Sequence, residues 1–428
     1  MAWVSPVRVF LAVILVATGL SLLVSGSHQG LLPIYAQGPE MVVITRAPYH
    51  LLRVSSGGAV SPVVDHTLDN ILVGEVRSLS VDASQRIYLL TTMGLWQFSP
   101  DGAPLVSLLR ERLSELSGVR VHSLSDLVLD AQGNAIVVAL ENVGPCQMSG
   151  ATIPDCPGPY LLLRVTPQGP SASVIARGLP IPTMGAGGGA AIAVDPQGQI
   201  VVAGIASSQG EGAFGLYQVD PASGAVREVV PPSERVMADG RIQLVRPVAG
   251  GVVLSPHLPG DRLSGGIAVD RAGHYVVGFG PIAFGAGLFR IPQPPRLSVI
   301  SQGQTHVEYG LEVVPIYVRP PNSEAVFFQD FDIGPSGEYL VVGNNSAGHS
   351  QPRYGVWRLT SDGGVAKVAD LGECCLKAAP GPLALAVVPG SMGAPPGSLQ
   401  PVNLSLSNLR VTQDSCPGPA QIRVTLTN

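Results

Sequence analysis

The sequence predicts an all-β fold, a six-bladed propeller closed by strands from its two ends, and three observations carry that prediction. Only 13% of the 428 residues are charged and 46% are hydrophobic, while 52 glycines and 39 prolines break the apolar residues into short runs. Many short apolar runs separated by turn formers are the pattern of an all-β chain. A strand–turn–strand unit recurs five times and a second hairpin six times, and the two ends jointly supply the missing copy of the first, as a closed ring of four-stranded blades requires.

Ahead of the repeats, Arg8 is the only charge before the apolar run 9–24, VFLAVILVATGLSLLV. That run is short for a spanning helix and suits a signal-peptide core, with small residues for cleavage near Gly26 or at Ala36; an uncleaved N-terminal anchor is the alternative. Either way, the chain from about residue 37 faces an exported compartment.

The first unit appears as LSVDASQRIYL from Leu79, LVLDAQGNAIVVA from Leu127, IAVDPQGQIVVA from Ile192, IAVDRAGHYVVG from Ile267 and FDIGPSGEYLVVG from Phe331. Its turn position holds Asp82, Asp130, Asp195, Asp270 and Gly334. Asp bonds nearby backbone N–H groups there, and Gly accepts positive φ. The second hairpin follows as LLRVSSGGAVSPVV from Leu51, LWQFSPDGAPLVSLL from Leu95, LLRVTPQGPSASVI from Leu162, LYQVDPASGAVREVV from Leu216, LFRIPQPPRLSVI from Leu288 and VWRLTSDGGVAKVA from Val356. MVVITR from Met41 directly precedes the first of these, and ALAVVP from Ala384 matches AIAVDP at Ala191 in all but two positions. One end therefore completes the sheet begun by the other, which also protects the edges of an open array.

Within the inner strands, the positions three and one before the turn are large: Leu79 and Val81, Leu127 and Leu129, Ile192 and Val194, Ile267 and Val269, Phe331 and Ile333, Leu385 and Val387. The positions between are mostly small, such as Ser78 and Ser80, Ala191 and Ala193, Gly266 and Ala268, Ala384 and Ala386. Successive side chains point to opposite faces of a strand, so this alternation packs neighbouring blades against each other near a crowded axis.

Residues 231–262 and 302–323 do not fit the repeat. Loops of that length are functional or carry structure of their own, and a seventh blade at 241–254 is the main architectural alternative. The domain reading is a signal peptide or anchor over 1–36, a propeller over 37–390, a linker over 391–402, and an incomplete β-sandwich-like segment over 403–428. Cys146 and Cys156 flank QMSGATIPD and are placed to close a small surface loop, a disulfide contributing about 2–3 kcal/mol. Cys374, Cys375 and Cys416 have no evident pairing, and an odd count of five leaves at least one thiol free or paired between chains. None of these sites has zinc-ligand spacing. The net charge of −5 gives no basic footprint, which argues against nucleic acid as the main partner.

The VDPQGQIVV and VDRAGHYVV turns with the LLRV-type hairpins resemble the exported six-bladed propellers of the NHL-repeat and gluconolactonase-like group over about residues 41–389. The segment from Asn403 resembles the opening of a bacterial adhesion-type Ig-like repeat. In that propeller group the turn Asp is structural, so Asp82, Asp130, Asp195 and Asp270 are not carried over as catalytic. The resemblance implies that enzymatic members hold a divalent cation on acidic or amide ligands where the inner strands meet the channel mouth. Asp126 and Asp330, each four residues before the turn, and Asp332, two residues along the same face, stand in that row. Their oxygens would suit Ca2+ or Mg2+, but Ser78, Ala191, Gly266 and Ala384 fill the rest of the row and leave the group's full ligand set unrecognisable. His122, four residues before Asp126, is the candidate general base, without an acid at fixed spacing. His274 lies just after its turn. No G-x-S-x-G elbow, H-E-x-x-H pair or phosphate-cradling Gly loop occurs, and GAGGG at 185–189 precedes a strand.

The sequence-level expectation is an exported propeller that binds a protein, glycan or small ligand at one mouth, with no cofactor. The absence of a complete catalytic set favours binding over catalysis. The alternative is a metal-dependent hydrolase, lactonase or lyase using Asp126, Asp330 and His122, and a structural envelope component is the third reading.

Overall fold

The structure, a computed structural model, describes residues 39–45, 48–148, 151–181, 189–208, 211–231, 234–250, 252–255, 266–281, 287–318, 327–345, 353–359, 364–371, 382–390, 405–412 and 421–427. The apolar run 9–24, the linker, Cys374, Cys375, Cys416 and the first four residues of GAGGG lie outside them. The described residues belong to one compact unit, Pro39–Asn428.

Among the described residues the chain builds five four-stranded antiparallel sheets and a nine-stranded sheet that contains a sixth antiparallel set of four strands. The first joins the two ends: Pro382–Val387 pairs with Met41–Thr45, followed by Leu51–Val54 and Val60–Pro62. The second runs Val76–Val81, Ile87–Thr91, Gly94–Phe98 and Pro104–Leu109. The third is Val121–Leu129, Ala135–Asn142, Pro157–Thr166 and Ser171–Leu179, and the fourth is Gly189–Val194, Ile200–Ser208, Glu211–Val219 and Val226–Val230. The fifth pairs Ile267–Val269, Tyr275–Pro281, Gly287–Ile291 and Val314–Val318. The sixth is Phe327–Ile333, Tyr339–Asn345, Arg353–Leu359 and Val365–Asp370. This is an all-β propeller.

Packing follows the large and small rows. Ala384 and Ala386 of the first unit lie in one buried cluster with Leu79 and Val81 of the second. Ala191 and Ala193 of the fourth pack with Ile267 of the fifth, and Ala268 of the fifth lies against the cluster of Phe331 in the sixth. At these three junctions the small face of one inner strand receives the large face of the next.

Two expectations are corrected. The segment 241–254 makes no separate blade: Ile242–Ala249 and Val252–Ser255 form a hairpin that joins the fifth unit's sheet through Leu254 and Ser255. The second half of LFRIPQPPRLSVI does not fold back on the first. Leu297–Gln302 pairs instead with His306–Glu312, which runs parallel to Ile242–Ala249, and Val314–Val318 becomes the fifth unit's outer strand. Pro292, Pro294 and Pro295 explain the detour, because proline donates no ladder hydrogen bond and resists a tight hairpin. A short helix, Arg110–Ser117, is the one helix among the described residues. It buries Leu113 and ends at Gly118, whose φ of 71° is left-handed, as helix C-caps favour.

The inner turns share one cradle. Asp82 Oδ1 accepts the N–H groups of Ser84 and Arg86 at 2.8 and 2.9 Å, and Asp130, Asp195 and Asp270 repeat this two and four residues on. The position three residues after the turn residue takes positive φ, at Gly133, Gly198, Gly273 and Gly337, with Gln85 standing there in the second unit. A polar residue from the third strand closes each of three cradles: Gln218 Nε2 donates to Asp195 Oδ2 at 2.8 Å, while Arg164 and Arg290 pair with Asp130 and Asp270 at 3.5 and 3.1 Å.

In the sixth unit the turn Asp is missing and an acid sits four residues along. Gly334 lacks a side chain, and a Cβ there would collide with the Glu338 carboxylate, which accepts the Ser336 N–H at 3.0 Å. In the first unit Val388 holds the turn position and donates its N–H to the Glu40 carbonyl at 2.8 Å, the bond that Asp82 makes to Arg86. The Glu40 carboxylate pairs with Arg53 of the third strand at 3.4 Å.

Candidate functional site

The inner strands of all six units enclose a cavity of about 1330 Å3. Ser78, Ser80, Ser123, Ser125 and Gln329 contribute polar groups to its wall, together with Asp126, Asp330 and Asp332. β-Bulges interrupt the register around Arg77, Ser125 and Gln329, at equivalent points in the second, third and sixth inner strands. Bulges re-aim side chains and are common beside active sites. Periodicity alone did not reveal them, since each adds a residue without changing the pattern's composition.

The three channel carboxylates share one geometry. Asp126 Oδ1 accepts the N–H of Leu127 at 2.8 Å, and its Oδ2 accepts that of Ile192, in the next unit, at 2.9 Å. Asp330 bridges Phe331 and Leu385 at 2.9 and 2.8 Å, and Asp332 bridges Ile333 and Val387 at 2.7 and 2.9 Å. Each keeps part of its surface open to the lumen but lies deep within protein. Burial pushes the carboxyls of Asp126 and Asp332 up to about 6, against the pull of their backbone donors. Asp330 is raised well above the ordinary range, first by burial and then by the charges of Asp126 and Asp332. Burial disfavours the charged form, and neighbouring carboxylates add to that.

His122 lines the same cavity, but its ring meets Ser123 Oγ at 3.4 Å and the Asp155 backbone, not Asp126. Burial and then the charge of Arg110 lower its pKa. His274 serves its own turn, with Nδ1 3.0 Å from Asp270 Oδ2. Cys146 and Cys156 form the expected disulfide, with Cα atoms 6.0 Å apart. It closes a small hairpin of Cys146–Met148 with Ala151–Ile153, next to Pro157, which lines the cavity.

The residues present do not fit the divalent cation implied by the resemblance. Both oxygens of each candidate ligand already accept backbone N–H groups, and Ser78, Ala191, Gly266 and Ala384 add little donor capacity. Among the described residues, no group of three or more His, Cys, Asp or Glu side chains could hold a metal ion.

No protein-family model matches the sequence, and no curated protein matches it. Solved structures similar to the chain include a surface component of the type-IX secretion system of Porphyromonas gingivalis, PorZ, at 11% identity and TM-score 0.40, over 80% of this chain and 41% of that one. The PQQ-bound aldose sugar dehydrogenase of Streptomyces coelicolor is similar at 13% identity and TM-score 0.37, over 78% and 85%. A gluconolactonase of Xanthomonas campestris is similar at 14% identity and TM-score 0.34, over 72% and 84%.

Proposed function

We propose that the protein is an exported propeller that binds a small, hydroxyl-rich molecule in its channel. The observation that carries this reading is Gln329: it lines the channel, and its amide oxygen is buried without a hydrogen-bond partner. A buried polar atom of this kind calls for a partner, and a ligand hydroxyl would supply the donor. The serines at 78, 80, 123 and 125 offer further hydroxyl contacts. Export is supported by the apolar run 9–24 and by the Cys146–Cys156 disulfide, since such bonds persist in oxidising compartments.

A thermal-shift and calorimetric panel of neutral sugars, sugar acids and sugar lactones tests it. The expected outcome is a ligand whose affinity falls about tenfold in Gln329→Ala, the loss of one good hydrogen bond. A panel without binders, or binding indifferent to Gln329, overturns it.

Hydrolysis of a sugar lactone is the second reading, the activity class named for one of the similar structures. Asp330 favours it: it lines the cavity, and burial raises its carboxyl well above the ordinary range, in the direction a proton donor requires. A pH-stat assay on the same lactones separates turnover from binding alone.

A further inference from the structure

We infer that Asp126, Asp330 and Asp332 are clasps between neighbouring units, not ligands of a divalent cation, and that Asp330 and Asp332 lock the closing strand into the ring. The inference is independent of which ligand the channel takes.

A spacing rule supports it. The residue four before a turn reaches the residue three before the turn in the following unit. Asp126 reaches Ile192, Asp330 reaches Leu385, and the shorter Ser78 places its Oγ 3.4 Å from the carbonyl of Leu127. Asp332, two before its turn, reaches Val387, one before the next. The reason is the geometry of an inner strand: its outer edge pairs with the second strand, and its inner edge faces the axis with unpaired backbone groups. A carboxylate with two acceptor oxygens covers one N–H on its own strand and one on its neighbour. Two such clasps act on Pro382–Val387, the strand whose other edge is paired with Met41–Thr45. Oxygens committed to strand edges at 2.7 to 2.9 Å leave a cation to compete with six backbone donors.

Residue-resolved amide hydrogen exchange on the full chain tests the clasps, with calcium and magnesium titrations beside it. In Asp126→Ala, exchange should quicken roughly tenfold or more at Leu127 and Ile192 while Leu385 and Val387 keep their rates. In Asp332→Ala the effect should move to Ile333 and Val387. Millimolar CaCl2 or MgCl2 should change neither the melting temperature nor these rates. Should an alanine variant fail to fold, the Asn variant retains one acceptor oxygen, and one amide of each pair should lose protection. Unchanged rates at the bridged amides overturn the inference. So does stoichiometric calcium or magnesium binding that Asp330→Ala abolishes.

Discussion

The inner turns and the channel wall use the same side chain for opposite ends. At Asp82, Asp130, Asp195 and Asp270 the carboxylate folds back on backbone two and four residues ahead. At Asp126, Asp330 and Asp332 it reaches 66 or 55 residues along the chain to the next unit. The local arrangement forms within one hairpin and tolerates relocation of the acid, as Glu338 demonstrates. The long-range arrangement works only in the assembled ring, and in that setting the carboxyls are buried and resist ionisation. A local cradle shapes a unit, whereas a clasp joins units.

The largest expected effect breaks the clasp side of this contrast. Asp330→Ala with Asp332→Ala strips acceptors from four amides and should cost about 3–4 kcal/mol in urea denaturation, the loss of several buried hydrogen bonds partly offset by removing two buried carboxyl groups. Replacing Cys146 and Cys156 by Ser touches neither region and should cost about 2–3 kcal/mol. A turn variant should fall below both: Gly334→Asp places a second carboxylate where Glu338 lies and should destabilise by about 1–2 kcal/mol, with Glu338→Ala in the same chain restoring most of it. If Gly334→Asp alone is neutral, the relocated acid is not equivalent to the turn Asp.

The smallest effect is a pH slope. Asp126 and Asp332 have folded-state pKa values near 6 against an ordinary 3.8, so below neutral pH the folded chain binds more protons than the unfolded one. Through these two groups stability rises as pH falls from 7 toward 5, by on the order of 1 kcal/mol each. His122, its pKa lowered, works in the opposite direction. Comparing the wild type with Asp126→Asn isolates the carboxyl's share, and the variant's melting temperature should gain less on acidification. An identical slope in both proteins removes the clasp's buried charge from the account.

The ring was legible in the sequence because its rules are local. Turn residues at fixed offsets and alternating large and small positions identified five inner hairpins, and the match of ALAVVP to AIAVDP placed the closing strand. The fifth unit's outer strand was misplaced because proline breaks a hairpin without announcing where the partner lies. The cradle acid at Glu338 was missed because it sits four residues from where repetition places it. The row containing Asp126 and Asp330 was visible as a departure from small residues. Its partners were not, because an N–H carries no sequence signature; only the shared offset from the turn pointed to them.

The pairing of Pro382–Val387 with Met41–Thr45 also sets a clock on the molecule's birth. At roughly 5–20 residues per second, the closing strand is synthesised some 20 to 70 s after the partner it must find. Throughout that interval Met41–Thr45 has an edge with no permanent neighbour, exposed to any strand that passes. The ring's integrity therefore depends on keeping that edge from other chains until Pro382–Val387 arrives.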